Sequence, residues 1–255
     1  MAKEKKVKEE DKEEDKDILQ EEIKKVVTRE EREAYENEVH LENWIPKTQL
    51  GKDVKNGKIT NIEEIFNSGK KILEFEIADK LLNLEVDLLK IGQSKGKFGG
   101  GKRRHWKQTQ KKTKEGNVCT FAVMAVVGDK AGHVGIGYGR AKETLPAKEK
   151  AIRAAKLNIR SINRGCGSYD CSCEESHSVP LKVKGKCGSV EIVLMPAPQG
   201  TWLVAGDEIK RILKLAGIKD AYTKTSGSVR TTINTAKAVV DALNKLSEVK
   251  KWLSL

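Results

Sequence analysis

The sequence predicts an α+β protein with small cores, in which strand-forming runs and amphipathic helical stretches alternate behind a charged leading segment. Three observations point there. Residues 118–127 form an apolar run with β-branched side chains, the pattern of a buried strand. Residues 146–162 repeat Ala and Ile at helical spacing behind Pro146, which suits a first helical turn because it lacks an N–H. Further on, two short β runs around a Gly-Lys-Cys-Gly turn are followed by two helical patterns. With 255 residues the chain has room for two modest domains and a tail, and 38% hydrophobic with 5% aromatic residues keeps each core small.

In residues 1–40 acidic side chains outnumber basic ones, and Ala2 and Val7 are the sole apolar residues between Met1 and Ile18. Such a segment buries too little to offset its ordering entropy, so a flexible or partner-docked extension is expected. Residues 41–85 read as a helical wrapping segment. Trp44-Ile45-Pro46 is an extended anchor, Thr60 with Glu63 fits a capping box, and the helix that follows stops near Asn67 at Gly69. Ile72, Phe75, Ile77, Leu81 and Leu82 make a second amphipathic stretch.

Residues 86–165 read as one unit, with strands at 86–91, 118–127 and 133–139, a turn at 128–132 and a helix at 146–162. On that helix Ala151, Ile152, Ala155, Ile159 and Ile162 line one face, while Lys148, Lys156 and Arg160 occupy another. Residues 166–255 form the second unit. It opens with a cysteine loop, continues with strands at 181–184 and 189–195 about a turn at 185–188, and has a helix at 207–215 closed by Gly217. A strand at 222–225 and a helix at 232–246, with Ile233, Ala236, Val240 and Leu243 inward, complete a two-layer unit.

Charge gives the first functional signal. Between Lys95 and Lys114 stand nine cations, with no Asp or Glu, around three consecutive glycines and Trp106. Positive side chains without internal counter-ions gain charge-assisted hydrogen bonds and release condensed counter-ions when they meet a polyphosphate. The alternative is a solvated Lys-rich loop, although solvated surfaces normally mix both signs. The formal net charge of the chain is +12, and the positive charge is concentrated downstream of Leu41. No apolar run reaches membrane-spanning length and the first residues lack a signal-peptide core, so a cytoplasmic protein is expected.

Gly132-His133-Val134-Gly135-Ile136-Gly137-Tyr138-Gly139-Arg140 superficially resembles a dinucleotide fingerprint. Its glycines alternate along a strand instead of turning into a helix, so the phosphate-binding turn is missing. They leave one strand face bare for a helix or an RNA backbone. Arg140 then meets a phosphate or is a plain surface cation.

Cys166, Cys171, Cys173 and His177 put four soft ligands into twelve residues, matching a closed structural zinc site in a loop with little apolar content. Free thiols in a flexible loop are the alternative, because the spacing is not that of a usual knuckle. Cys187 can replace one ligand, and Cys119 reads as a small core residue. Five cysteines, an odd number, argue against a disulfide framework. None of the four histidines falls in an H-E-x-x-H motif, and no enzymatic role is expected.

Val126-Val127-Gly128-Asp129, Gly132 to Glu143 and the basic helix after them closely resemble the small-subunit ribosomal protein S-five family, with archaeal features. Gly188-Ser189-Val190, Pro196-Ala197-Pro198, Gly200-Thr201, Val204-Ala205-Gly206 and Leu215-Ala216-Gly217-Ile218 resemble its carboxy-terminal domain. The resemblance implies a double-stranded-RNA-binding-like domain followed by a left-handed βαβ two-layer domain. It also implies a structural, RNA-binding role in the small ribosomal subunit, at the messenger entry path and in support of accuracy. The implied partners are ribosomal RNA and neighbouring small-subunit proteins, among them those numbered two, three, four and eight and especially four and eight.

By position, residues 107–117 match the family's RNA-penetrating hairpin and residues 199–210 its fidelity-linked surface. The expected RNA contacts are Lys102, Arg103, Arg104, Lys107, Lys111, Lys112, Lys114, Arg140 and Lys148. Trp202 departs from the glycine the family commonly has after Gly-Thr, and residues 94–104 look inserted. A zinc-dependent RNA-modifying enzyme and a free-standing RNA chaperone are the competing functional readings.

Overall fold

The structure, a computed structural model, describes residues 41–93, 103–173 and 175–253, and only the backbone of 248–253. The leading extension, Lys95, Lys97, the three glycines and Lys102 lie outside the described residues. Residues 48–255 form one compact α+β unit.

Three short helices open it: α1 (Gln49–Lys55), α2 (Ile62–Asn67) and α3 (Phe75–Leu81). The expected capping box does not form. Asn61 and not Thr60 is the N-cap of α2, and its side chain makes no capping bond. Buried Ile62 and Ile65 hold this six-residue helix instead, and Gly69 follows its end with a positive φ of 69°.

The first sheet is antiparallel throughout. Strand β1 (Glu85–Leu88) is followed by the small pair β2 (Gly92–Gln93) and β3 (Arg103–Arg104), then by β4 (Trp106–Thr113), β5 (Gly116–Gly128) and β6 (His133–Ala141). Strands β1 and β4 lie end to end along one edge of β5, opposite residues 125–128 and 116–123 respectively, while β6 takes the other edge from Phe121 onward. The Asp129 carboxylate closes the β5–β6 turn by accepting the N–H groups of Ala131 (2.8 Å) and His133 (2.9 Å).

Alternation along β5 sends side chains to two cores. Val123, Ala125 and Val127 pack with Ala147, Ala151 and Ala155 of α4 (Thr144–Leu157), whereas Met124 and Val126 face the second half of the chain. The glycines of β6 admit that helix. A Cβ at Gly135, Gly137 or Gly139 would lie 2.3, 2.1 or 2.2 Å from the carbonyl oxygens of Ala155, Ala151 and Ala147. Of the two occupants open to the bare strand face, the helix takes it. Helix α4 ends earlier than 162, because Arg160–Ser161 leaves the helical path to pair with His133 and Val134 as β7. Its cationic face is also partly spent: the Lys156 ammonium meets Asp79 of α3 at 2.7 Å.

The second sheet contains β8 (Val183–Cys187), β9 (Val190–Pro196), β10 (Leu203–Val204) and β11 (Ala221–Ser226), in the order β10-β11-β9-β8. Strands β10 and β11 run parallel across α5 (Asp207–Leu215), and the other pairs are antiparallel. The β8–β9 turn is Gly188-Ser189 and not 185–188, because Gly185 is inside the strand where the closing helix α6 (Thr232–Leu253) crosses. A Cβ there would sit 2.1 Å from the Ala238 carbonyl oxygen. On α6 the buried side chains among the described residues are Thr232, Thr235, Ala236, Ala238, Val239, Ala242, Leu243 and Leu246, so Val239 replaces Val240 in the expected stripe. One core joins the sheets, with Leu89, Met124, Val126 and Val134 packed among Val190, Ile192, Leu194, Ile212, Leu213 and Leu243.

Candidate nucleic-acid interface and metal-binding loop

The basic stretch is a hairpin and not a loop from Trp106 onward. Thr113 pairs with Gly116 across Lys114-Glu115, and Trp106 pairs with Val123. Since β6 ends opposite Phe121, the pairs from Thr109↔Thr120 to the tip have no third strand among the described residues and project from the sheet as a two-stranded arm. Side chains on both faces of the arm meet solvent, which is why polar residues fill it on both parities and no apolar alternation marks β4.

Lys107, Ala122 and Arg140 form one row across three strands, with Thr109–Thr120 and Lys111–Val118 as the next two rows outward on the same face. The Arg140 guanidinium reaches along the arm, donating to Thr120 Oγ1 at 2.8 and 3.2 Å and to Thr109 Oγ1 at 3.4 Å. Lys112 takes the opposite face, and Lys114 sits at the tip. Cys119 belongs to this arm and not to a core. Its sulfur accepts the amides of Gln108 and Gln110, both at 3.4 Å.

Among the described residues Arg103, Arg104, Lys107, Lys111, Lys112 and Lys114 are exposed and have no acidic partner. At the base of the arm Arg103, Arg104 and Lys107 face Arg230 and Thr231, just ahead of α6, across a cleft of about 890 Å³. Arg230 is not among the expected contacts, since a single Arg before a helix gives no distinctive pattern. Lys148 is set apart. It lies half-buried on α4, the helix covering the other face of the sheet.

The cysteine loop is closed at its root by Gly165 and Ser178, which exchange backbone hydrogen bonds of 2.9 Å in both directions. Inside it, one ligand atom each from Cys166, Cys171, Cys173 and His177 come within 4.8 Å of one another, so this Cys3His cluster can hold a metal ion. Tetrahedral zinc separates a sulfur from an imidazole nitrogen by about 3.6 Å and two sulfurs by about 3.8 Å. His177 Nε2 stands 3.6 Å from Cys171 Sγ, while the Cys171–Cys173 sulfurs are closer, at 3.0 Å. Cys187 is outside the cluster, packed against the shared core.

The cluster is already polarised. A hydrogen bond from the Cys173 thiol, helped by the Gln199 N–H, lowers the Cys171 pKa to about 6. Donating that bond pushes Cys173 up to about 12. Burial opposes protonation of His177, but its bonds with Cys166, Cys171 and Asp220 outweigh burial and raise its pKa. The His177 Nδ1–H donates to Asp220 Oδ2 at 2.8 Å, which leaves Nε2 toward the sulfurs. Asp220 lies 43 residues further along the chain, and no local spacing could have revealed it.

Beside the cluster, Trp202 has φ 61°, the left-handed region in which glycine is at ease. An L-residue there costs about 1–2 kcal/mol. Trp202 thus takes a conformation suited to glycine while placing an indole, 77% exposed, at the surface.

Two family models match the chain: the N-terminal domain of ribosomal protein S5 over residues 91–163, and the C-terminal domain of ribosomal protein S5 over residues 185–253. The cysteine loop lies between these spans. Curated relatives agree. The small ribosomal subunit protein uS5 of Nanoarchaeum equitans is 52% identical over 213 residues, covering 83% of this chain and 91% of the relative. The protein of the same name from Staphylothermus marinus is 48% identical over 80% of this chain and 88% of its own length, and that of Methanococcus maripaludis 44% over 86% and 90%. With identity of this order across both sheets and the projecting arm, the chain belongs to the ribosomal protein S5 family.

Proposed function

We infer that the chain is a structural, non-enzymatic constituent of the small ribosomal subunit that binds ribosomal RNA. The observation that carries this reading, beside the family, is the projecting arm, whose cations have no acidic partners among the described residues. Residues 86–165 act as a double-stranded-RNA-binding-like domain, a reading supported by an antiparallel sheet with α4 on one face. Residues 166–255 act as a left-handed βαβ two-layer domain, for which the parallel β10–α5–β11 unit is the support. The further partners are the neighbouring small-subunit proteins numbered four and eight, in a position along the messenger entry path.

Sedimentation tests the assignment. Epitope-tagged protein remains stoichiometric with small subunits through a high-salt wash, and release into the unbound fraction overturns it in favour of an RNA chaperone. Assembled subunits carrying Lys210→Glu, a charge reversal at an exposed position of α5, show altered near-cognate misincorporation if residues 199–210 support accuracy. Normal accuracy after normal assembly removes that role.

The Cys3His cluster we assign to structural zinc, on the soft donor set and on His177 having a carboxylate behind it. Purified protein then contains about one zinc per chain, and Cys171→Ser loses it. Elemental analysis finding no zinc in the unmodified protein, or an unchanged content in Cys171→Ser, refutes the assignment.

A further inference from the structure

We propose that Asp220 and the turn from Gln199 to Trp202 are the outer shell of this metal centre, so that metal occupancy sets the conformation in which Trp202 is displayed. The inference rests on the metal-centre reading of Cys166, Cys171, Cys173 and His177. It adds a mechanical link from that centre to a surface aromatic.

Asp220 is buried, and both its carboxylate oxygens are committed. Oδ2 accepts the His177 Nδ1–H at 2.8 Å, and Oδ1 accepts the backbone N–H of Trp202 at 2.6 Å. A single carboxylate thus orients a candidate metal ligand with one oxygen and clamps the left-handed residue with the other. A ligating histidine characteristically passes its second ring N–H to such a carboxylate, which fixes tautomer and ring orientation.

The remaining bonds make the link stiff. The Asp220 N–H and the Lys219 N–H both donate to the His177 carbonyl, at 3.2 and 2.8 Å, and the Ser178 hydroxyl donates to the Asp220 carbonyl at 2.6 Å. Ser178 Oγ in turn accepts the Ala197 N–H at 3.2 Å, just ahead of the turn. On the far side of Trp202, its carbonyl accepts the Ala221 N–H at 3.3 Å.

The turn therefore terminates on the metal cluster at Trp202, through Asp220 on the imidazole. A metal ion that fixes His177 fixes this anchor. Removing it frees the imidazole to rotate, loosens Asp220, and lets the positive φ of Trp202 relax. The indole then moves relative to the surface on which it stands.

The test uses the full chain under reducing conditions. Tryptophan fluorescence is recorded for the unmodified protein and for Trp202→Phe, and the difference between them isolates the exposed indole from Trp44, Trp106 and Trp252. Stripping zinc with a chelator shifts the emission maximum or the quenching constant of that difference signal, and adding zinc back restores it. A difference signal indifferent to zinc overturns the inference while leaving the metal centre intact.

Asp220→Asn supplies the second arm. It keeps an acceptor for Trp202 but weakens the partner of His177, so cobalt or zinc binding weakens by about 10–100-fold and the d–d bands of the cobalt protein shift. Unchanged affinity and bands overturn the positioning role of Asp220. Where Asp220→Asn does not fold, the fluorescence arm decides by itself, since it uses only the natural chain and a surface substitution. An unmodified protein that takes up neither metal overturns the metal centre, and this inference with it.

Discussion

Replacing Lys107, Lys111, Lys112 and Lys114 together by alanine lowers affinity for ribosomal RNA by about a thousandfold at 0.1 M salt. The figure follows from counter-ion release, in which each phosphate neutralised by a cation adds about 0.7–0.9 to the slope of log K against log salt. Removing four such cations flattens that slope by about 3. All four side chains are exposed on a two-stranded arm, and among the described residues no third strand supports it and none of the four has an acidic partner. Stability changes little by comparison, because exposed side chains without partners leave no buried group unsatisfied when truncated. A filter-binding titration at several salt concentrations reads the slope directly. A variant with the parental slope removes the arm from the RNA interface, whatever its effect on absolute affinity.

The largest effect on folding is expected at Gly137. Adding one methyl group there places a Cβ 2.1 Å from the Ala151 carbonyl oxygen and 2.2 Å from the Ala155 nitrogen, so the whole of α4 must move. Backbone cannot swing aside as the end of a flexible side chain can. Gly137→Ala therefore destabilises by about 3 kcal/mol, the upper range for overpacking. Denaturant unfolding measures this as a lowered midpoint with little change in slope. A midpoint equal to that of the parent would show that α4 does not rest on the bare face of β6.

That close approach explains why the sequence is readable at some points and opaque at others. The apolar run of β5 and the Ala spacing of α4 are local patterns of burial, and both elements appear where the pattern puts them, apart from the last turn of the helix. Strand β4 is hidden in the sequence because an arm wet on both faces has no alternation to display. Gly185 reads as a turn residue for the opposite reason: its glycine serves a close approach by α6, a long-range fact with no local trace. In the cysteine loop the four soft donors are visible from spacing, yet Asp220 comes from 43 residues beyond His177. The strained φ at Trp202 is foreshadowed only by its departure from the family's glycine.

The core shared by the two sheets has a consequence for the time at which this chain becomes usable. When residues up to Ser161 have left the exit tunnel, Leu89, Met124, Val126 and Val134 have already been made, but Val190, Ile192, Leu213 and Leu243 that cover them have not. Through this interval the nascent arm has its cations while the sheet beneath it keeps an uncovered apolar face, an arrangement prone to sticking to the wrong partners. Binding RNA on half a scaffold would fix that unfinished face in place. A nascent protein of this design is safest when shielded until its closing helix emerges, and a premature stop between Lys114 and Leu243 leaves a fragment with the basic arm but an uncovered core, suited to scavenging RNA and aggregating rather than to assembly.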